Sequence, residues 1–536
     1  MREAYAQRPA LRLSRIGSER PRRRRVLVIN AFFDDLRRDT ASPNKIPQAM
    51  APFYVAGTFR AELCEVRVYS EHHSGPLRDH SMLAWPDMLV LTGLNVAFDR
   101  MLHLSAYARS CNPALVVVAG GHAIRALPNR ARRYFDYACA GDVEQMRDVI
   151  RDTFGADYVA DELTPRYDLV RHNRWLGYAE TSRNCNFQCS FCTMAAEGNG
   201  YYKYALEDLR RHIIAMGPKP HVLFLDNNFY GGNHGFFRAR MELLRELHRE
   251  GRFGGWSAMV TNDFFVKQEN LDLARRAGCR ALFSGVESFD TAVLSGVGKR
   301  QNLVLPQFDV IRRCLDAGIM FHYGMIFDLS ARRISEIRQE IELVLETPGV
   351  PLPSFVSMTI PLLGTPYFRE SVARETLLPR VKLRDLDGFT LSLTPLDPMD
   401  EAIPFARDLP SLRGYRTRVM RKTLDVLRRN YRSMNWFQLM LTSANAFLLC
   451  APNVINAPLL FSRLPPKRSY VSTTEPIDPL YTPEFPVQAK FRDHFIPTMV
   501  TDREGMLASD LLLDYRPDGQ RVGAYAAARA VADRVA

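Results

Sequence analysis

The chain has 536 residues, 46% of them hydrophobic and 24% charged, with a formal net charge of +12. This is ordinary globular material for two or three domains, which sets aside a disordered polypeptide. Nine cysteines, three of them in one short stretch and the others scattered, do not make a disulfide framework, so a reducing, cytoplasmic setting is expected.

Residues 1–22 read as a basic N-terminal tail. The run Arg22-Arg23-Arg24-Arg25 leads straight into a strand rather than an apolar signal segment. From 23 to 160, strands over 25–31, 65–69, 88–92 and 115–119 alternate with helices over 46–63 and 100–110. Alternation of this kind predicts an α/β domain with a doubly wound, Rossmann-like parallel sheet. Such sheets bind ligands at the carboxyl ends of their strands, here Thr92, Gly93 and the pair Gly120-Gly121 with His122 beside it. The glycines would let a large flat ligand approach the backbone, and they equally suit a tight strand-to-helix turn.

After a linker over 161–174, strands over 176–181, 221–225, 256–260, 280–284, 319–327 and 354–360 recur with helices between them. Six strand–helix units predict a partial (β/α)6 barrel over 165–370, whose chemistry belongs at the strands' carboxyl ends. The first strand runs into Thr181-Ser-Arg-Asn-Cys-Asn-Phe-Gln-Cys-Ser-Phe-Cys-Thr193. Thiolates select soft metals and iron–sulfur clusters, and Cys185, Cys189 and Cys192, spaced C-x3-C-x2-C, leave one iron of a four-iron cluster without a protein ligand. The nearest later candidates for a fourth ligand, His212 and His221, fall in the following helix and strand. A zinc knuckle or three core cysteines is the structural alternative, but the loop is polar and Asn-rich rather than apolar.

This spacing, with the aromatic Phe191 before the third cysteine, resembles the signature of the radical S-adenosylmethionine (SAM) enzymes. The resemblance implies a [4Fe-4S] cluster whose open iron chelates SAM and cleaves it to a 5′-deoxyadenosyl radical. It also implies a low-potential electron donor such as a flavodoxin or ferredoxin. Polar groups at the barrel's strand ends then become SAM-binding candidates: Asp226, Asn227 and Asn228 after the second strand, Thr261 after the third, Glu287 and Ser288 after the fourth, together with Phe191. Each alone is as readily a turn or helix cap. The 23–160 segment in turn resembles the cobalamin-binding domain that precedes the radical module in many of these enzymes. The resemblance rests on Pro47 to Leu63, Pro86 to Thr92, and Val118 to Pro128 followed by Phe135 to Glu144. The Asp-x-His-x-x-Gly signature is absent after the first strand, where Ala31-Phe-Phe-Asp-Asp-Leu36 stands, so a bound cobalamin would lack that histidine ligand.

Residues 371–536 read as a mostly helical and irregular C-terminal region. A basic amphipathic helix spans 416–432, and an apolar stretch over 436–452 is interrupted by Asn445 and Pro452. A barrel-capping helix is favoured there over an interfacial membrane helix or a lid. A Pro-rich, aromatic run over 465–497 suggests a loop wrapping the other domains. The arginines are spread along the whole chain without a nucleic-acid module, so a solvated basic surface is favoured over nucleic-acid binding. The expected function is that of a cobalamin-dependent C- or P-methyltransferase acting on a small molecule or natural product. The alternatives are a radical SAM oxidoreductase or cyclase of the anaerobic tetrapyrrole-cyclase type, and a non-catalytic iron–sulfur protein.

Overall fold

The computed structural model describes residues 22–33, 48–172, 174–194, 200–409, 412–450 and 479–500. The basic tail up to residue 21, residues 34–47 with the expected start of the helix over 46–63, and the first part of the Pro-rich run lie outside these described residues.

The N-terminal unit holds five strands: β1 Arg24–Asn30, β2 Cys64–Ser70, β3 Met88–Thr92, β4 Val116–Gly120 and β5 Tyr137–Cys139. All pair in parallel in the order β2-β1-β3-β4-β5. Val26, Leu27, Val28 and Ile29 of β1 are each 0% exposed. A strand covered on both faces needs a continuous apolar run, which is why it shows no alternation in sequence. The strand order reverses between β1 and β3, so the crevice outside their carboxyl ends is the binding position that this topology offers.

The predicted helix over 46–63 is only Ala51–Ala56 in the structure. A Cβ at Gly57 would lie 2.1 Å from the Thr164 carbonyl oxygen, so the linker crosses directly over the helix end and stops it. β5, with three residues, was too short to read from the sequence.

A buried ion pair holds the carboxyl end of this sheet. Glu71, 0% exposed just after β2, accepts from Arg100 Nη2 at 2.6 Å, from the Phe32 N–H at 3.1 Å and from the Leu77 N–H at 2.9 Å. It thereby ties the ends of β1 and β2 to the helix Phe98–Cys111.

The second unit is a sheet of six parallel strands: β6 Leu176–Ala179, β9 His221–Phe224, β10 Trp256–Met259, β11 Cys279–Glu287, β12 Met320–Phe327 and β13 Phe355–Met358. Each pairs with the next in chain order, which gives an open six-stranded barrel. A two-residue ribbon, β7 Ser182–Arg183 with β8 Tyr202–Lys203, closes the base of the cysteine loop.

The C-terminal helix Trp436–Cys450 seats at the amino-terminal end of this barrel. Gln438 donates to the carbonyls of Arg280 (2.7 Å) and Gly318 (3.0 Å), and Asn445 donates to that of Pro353 (3.1 Å). Residues 479–500 cross the N-terminal unit instead: Asp99 of the helix Phe98–Cys111 accepts from the Tyr481 hydroxyl at 2.7 Å and from the Thr498 N–H at 3.0 Å. No helix among the described residues is long and apolar enough to cross a membrane.

Arg100→Met leaves Glu71 buried without its cation, which costs about 3–5 kcal/mol. The expected result is a clearly lowered urea midpoint for loss of the N-terminal unit's structure; an unchanged midpoint would show that the pair is dispensable.

Candidate functional site

The cysteine loop leaves β6 at the barrel's carboxyl end, and its base is fixed by groups that arrive from elsewhere in the chain. Asp226, just beyond β9 and 0% exposed, accepts from the Thr181 N–H at 3.0 Å and from the hydroxyls of Thr181 and Ser182, both at 2.5 Å. Arg240, also 0% exposed, lies 3.9 Å from the same carboxylate, donates to the Thr181 hydroxyl at 2.6 Å and stacks 3.6 Å from the Phe229 ring centroid. Burial pushes the Asp226 carboxyl up, while Arg240 and the hydroxyl donors hold it down.

Above this base, Asn184 takes a left-handed conformation (φ +63°) and donates to the Gly200 carbonyl at 3.1 Å. Asn tolerates that region better than other non-glycine residues do. Asn228 donates to Asn186 at 2.7 Å, and its carbonyl accepts from the Tyr201 hydroxyl at 3.1 Å, which pins the loop on both flanks. Within the loop, the Cys192 N–H donates to the Cys189 carbonyl at 3.1 Å, and the Ser190 N–H donates to the Val297 carbonyl at 3.0 Å.

Cys189 is buried at 7% exposure, and Cys185 and Cys192 are half-buried. Burial pushes the Cys185 thiol up to about 11, with the charges of Cys192 and Cys189 acting in the same direction. Among the described residues no three His, Cys, Asp or Glu side chains converge on a single-ion site; a cubane takes one thiolate per iron, so its ligands need not converge on one point. The set of three soft donors in one part-buried loop fits a [4Fe-4S] cluster. His212 and His221 do not complete it: His212 Nε2 lies 3.1 Å from the Leu163 carbonyl, and His221 begins β9 at the opposite end of the barrel, bonded to Ser257 at 2.9 Å.

The strand-end candidates divide into two groups. Asp226, Asn228 and Ser288 are 0% exposed and engaged by other side chains. Ser288 donates to Glu340 at 2.7 Å, a carboxylate that also accepts from Arg332 at 2.6 Å. Asn227, Thr261 and Glu287 are less deeply buried. Asn227 is exposed, with its amide 3.0 Å from Met194 Sδ. The Thr261 hydroxyl donates to Asp263, whose carboxyl burial pushes up. Glu287 sits at φ +60°, where β11 slips in register against β12, and pairs with Lys299. A left-handed glutamate costs about 1–2 kcal/mol, so the turn that aims it at Lys299 is held by its surroundings.

At the N-terminal sheet, Thr92 is nearly buried and Gly121 has φ +111°. A Cβ on Gly121 would lie 2.7 Å from the Gly93 carbonyl oxygen, and one on Gly93 would lie 3.0 Å from Ala97 Cβ and 3.2 Å from the Ala31 carbonyl oxygen. These two glycines let the loops after β1, β3 and β4 touch one another. Gly120, by contrast, meets nothing closer than 3.8 Å, and His122 begins a short helix beside it. Leu94, next to Gly93, is 59% exposed. This close-set edge, with Leu94 exposed beside it, lies at the switch point where such sheets take a ligand, as a cobalamin-binding domain requires.

Arg183, one residue before the Asn184 turn, joins the two units. It donates to Glu144, in the turn after β5, with two 2.8 Å bonds and to Glu180 at 3.1 Å. The Tyr204 hydroxyl donates to Glu180 at 2.8 Å. Burial pushes the Glu180 carboxyl up to about 6, against the pull of Arg183.

The radical SAM superfamily model matches residues 179–341, from the end of β6 into the helix Ile334–Glu346. The chain carries a radical SAM domain over these residues. Members hold a [4Fe-4S] cluster and SAM, and the cysteine loop just described lies within the matched span. The chain is similar to hopanoid C-2 methylase of Rhodopseudomonas palustris, 25% identical over 46% of this chain and 50% of the relative. It is also similar to bacteriochlorophyllide d C-12(1)-methyltransferase of Chlorobaculum tepidum, 26% identical over 35% of this chain and 41% of the relative. The chain thus spans half or less of the length of these two relatives. In fold it is similar to the cobalamin-dependent SAM radical enzyme OxsB, solved with aqua-cobalamin and SAM bound, with a TM-score of 0.53 and 16% identity over 80% of this chain and 72% of that one.

Sequence reasoning did not find Arg240, Arg183, Glu144, Lys299 or Asp263. Only Arg240 left a trace: an arginine on the same helical face as Phe237, Met241 and Leu244, where an unpaired charge does not belong.

Two outcomes follow. Asp226→Ala leaves Arg240 buried without its carboxylate and releases both loop-base hydroxyls; a loss of about 3–5 kcal/mol and a reduced iron content after reconstitution are expected, and full iron loading would show that the loop holds itself. For Glu180, the folded value of about 6 stands above the ordinary 4.5, so the fold favours the protonated form. Its contribution is complete below about pH 4.5 and is lost, by about 2 kcal/mol, as pH rises through about 6. The stability difference between the parent protein and Glu180→Gln should change across that window and be flat above it.

Proposed function

We propose that this chain is a cobalamin-dependent radical SAM methyltransferase that transfers a methyl group to an unreactive carbon, or a phosphorus, of a small organic substrate. The observation that carries this reading is the link through Arg183. The residue adjoining the cysteine loop is bonded to Glu144 at the edge of the switch-point sheet, which ties the cluster loop to the N-terminal strand ends.

Methyl transfer is supported by the relatives named for methylation of a hopanoid and of a bacteriochlorophyllide. Cobalamin is supported by the shared fold with a protein solved with aqua-cobalamin. We assign residues 23–160 to the cobalamin-binding-like domain, 165–370 to the radical module and 371–536 to the C-terminal region. When bound, the cluster and SAM supply the radical that removes a substrate hydrogen, and cobalamin supplies the methyl group.

The chain's own residues bind and position. Cys185, Cys189 and Cys192 hold the cluster. Asn227, Thr261 and Glu287 offer hydrogen-bonding and anionic groups toward the amino and hydroxyl groups of SAM, and Phe191 flanks them. The edge at Thr92, Gly93, Leu94, Gly120, Gly121 and His122 receives the flat ring. Asp226, Asn228 and Arg240 keep the loop base fixed, so that no reorganisation is needed when the cofactors arrive.

Anaerobically purified, reconstituted protein should show cobalamin absorption beside that of the cluster. With SAM, a reductant and substrate it should form both 5′-deoxyadenosine and S-adenosylhomocysteine. Absence of both products from loaded protein would overturn the enzyme reading, and 5′-deoxyadenosine alone would replace methyl transfer by oxidation or cyclisation.

A further inference from the structure

The segment after β11 returns over the cysteine loop. The Val297 carbonyl accepts from the Ser190 N–H, and Gly298, at φ +68°, turns the chain beside the Gln188 carbonyl. The next residues form a single 3-10 turn, Arg300–Leu303. Within it, Asn302 donates to the carbonyls of Gly285 (2.8 Å) and Val286 (3.0 Å), locking the turn onto the end of β11. Lys299, 6% exposed, pairs with Glu287 and places its ammonium 5.7 Å from the Phe191 ring centroid.

Between these anchors lies Gln301, 3% exposed. Its Nε2 donates to Cys189 Sγ at 3.2 Å, and its Oε1 is buried with no hydrogen-bond partner among the described residues. A buried, unpartnered acceptor costs about 1–3 kcal/mol. An apolar residue of similar shape would fill the position without that penalty, so packing does not account for an amide here. A metal-bound thiolate has lone pairs and no proton; only the N–H end of the amide complements it, and that is the end facing the sulfur.

We propose that Gln301 is a positioning residue that tunes the cluster: its amide N–H, held against Cys189 Sγ, stabilises the electron added on reduction and so raises the cluster's reduction potential. Reduction of a [4Fe-4S] cluster takes one electron from a low-potential donor and places added negative charge on the irons and their sulfurs. An N–H dipole directed at a ligand sulfur in a dry site lowers the energy of that added charge, and hydrogen bonds to sulfur are one of the terms that set such potentials. Gln301 touches neither substrate nor the open iron's position in this account; it acts through Cys189. The effect falls on the step that precedes all chemistry, the transfer of an electron into the cluster.

The inference rests on the reading that Cys185, Cys189 and Cys192 hold a cluster, and the two fail separately. The full chain and its Gln301→Leu and Gln301→Met variants are reconstituted anaerobically with iron and sulfide, poised with dithionite and mediators at the midpoint of the parent protein, and the reduced cluster is counted by low-temperature electron paramagnetic resonance. At equal iron content, the ratio of reduced to oxidised cluster should fall about tenfold in either variant, equivalent to about 59 mV for one electron. An unchanged ratio in a loaded variant overturns the role of Gln301 while leaving the cluster reading intact. Loss of the cluster from both variants also overturns it, because Gln301 then holds the cluster instead of tuning it. A parent protein that takes up no cluster sinks the cluster reading itself.

Discussion

The geometry of the site depends on two opposite charges with no access to water. Asp226 and Arg240 are both fully buried, and the Thr181 hydroxyl stands between them, donating to the carboxylate and accepting from the guanidinium. A buried ion pair contributes little net stability when intact and costs a great deal when one partner is lost. What it supplies here is position. Thr181 and Ser182 stand between the end of β6 and the first cysteine. With both hydroxyls and the Thr181 N–H bonded to one rigid carboxylate, the chain enters the loop in a single register. The Asn228–Asn186 bond then repeats the constraint one residue past the first cysteine.

The same base carries the connection between the two sheets. Arg183 alternates with Ser182 in the β7 ribbon, so the residue that faces away from Asp226 faces Glu180 and Glu144. One guanidinium shared by two carboxylates has a fixed planar geometry that lysine could not reproduce. The cysteine loop and the switch-point edge are therefore referred to a common origin. In a reaction that needs two cofactors to act in turn on one substrate atom, separation and orientation set the rate more than the strength of any single contact does.

The fold was legible wherever one element answers to one local pattern. Continuous apolar runs such as 25–31 and 115–119 announced buried parallel strands, and all six barrel strands fall within a few residues of their expected places. The helix over 46–63 failed because its end is set by the linker crossing at Gly57, a contact between residues 107 positions apart that no window reveals. The cysteines were legible because their chemistry needs only spacing. The polar strand ends were legible as a group but not one by one. Asp226 and Asn227 are neighbours of similar type, and what separates them is Arg240 on a later helix, which draws one inward and leaves the other at the surface. Gln301 and Lys299 gave no sequence signal, because their relation to the loop exists only through the return of the chain after β11.

That return makes the loop asymmetric. Cys189 and Phe191 are covered by 297–303, with an amide N–H and an ammonium on that side. Cys185 and Cys192 stay half-buried, and the charge of Asp263 acts on Cys185 from the β10 end. A cluster seated on the three thiolates would be covered on the flank of 297–303, the side to which Glu287 also belongs through its pair with Lys299. Donors gather on the covered flank, where added electron density must be stabilised. The return of the chain after β11 therefore gives Cys189 a neighbourhood that Cys185 does not share, although both belong to one short loop.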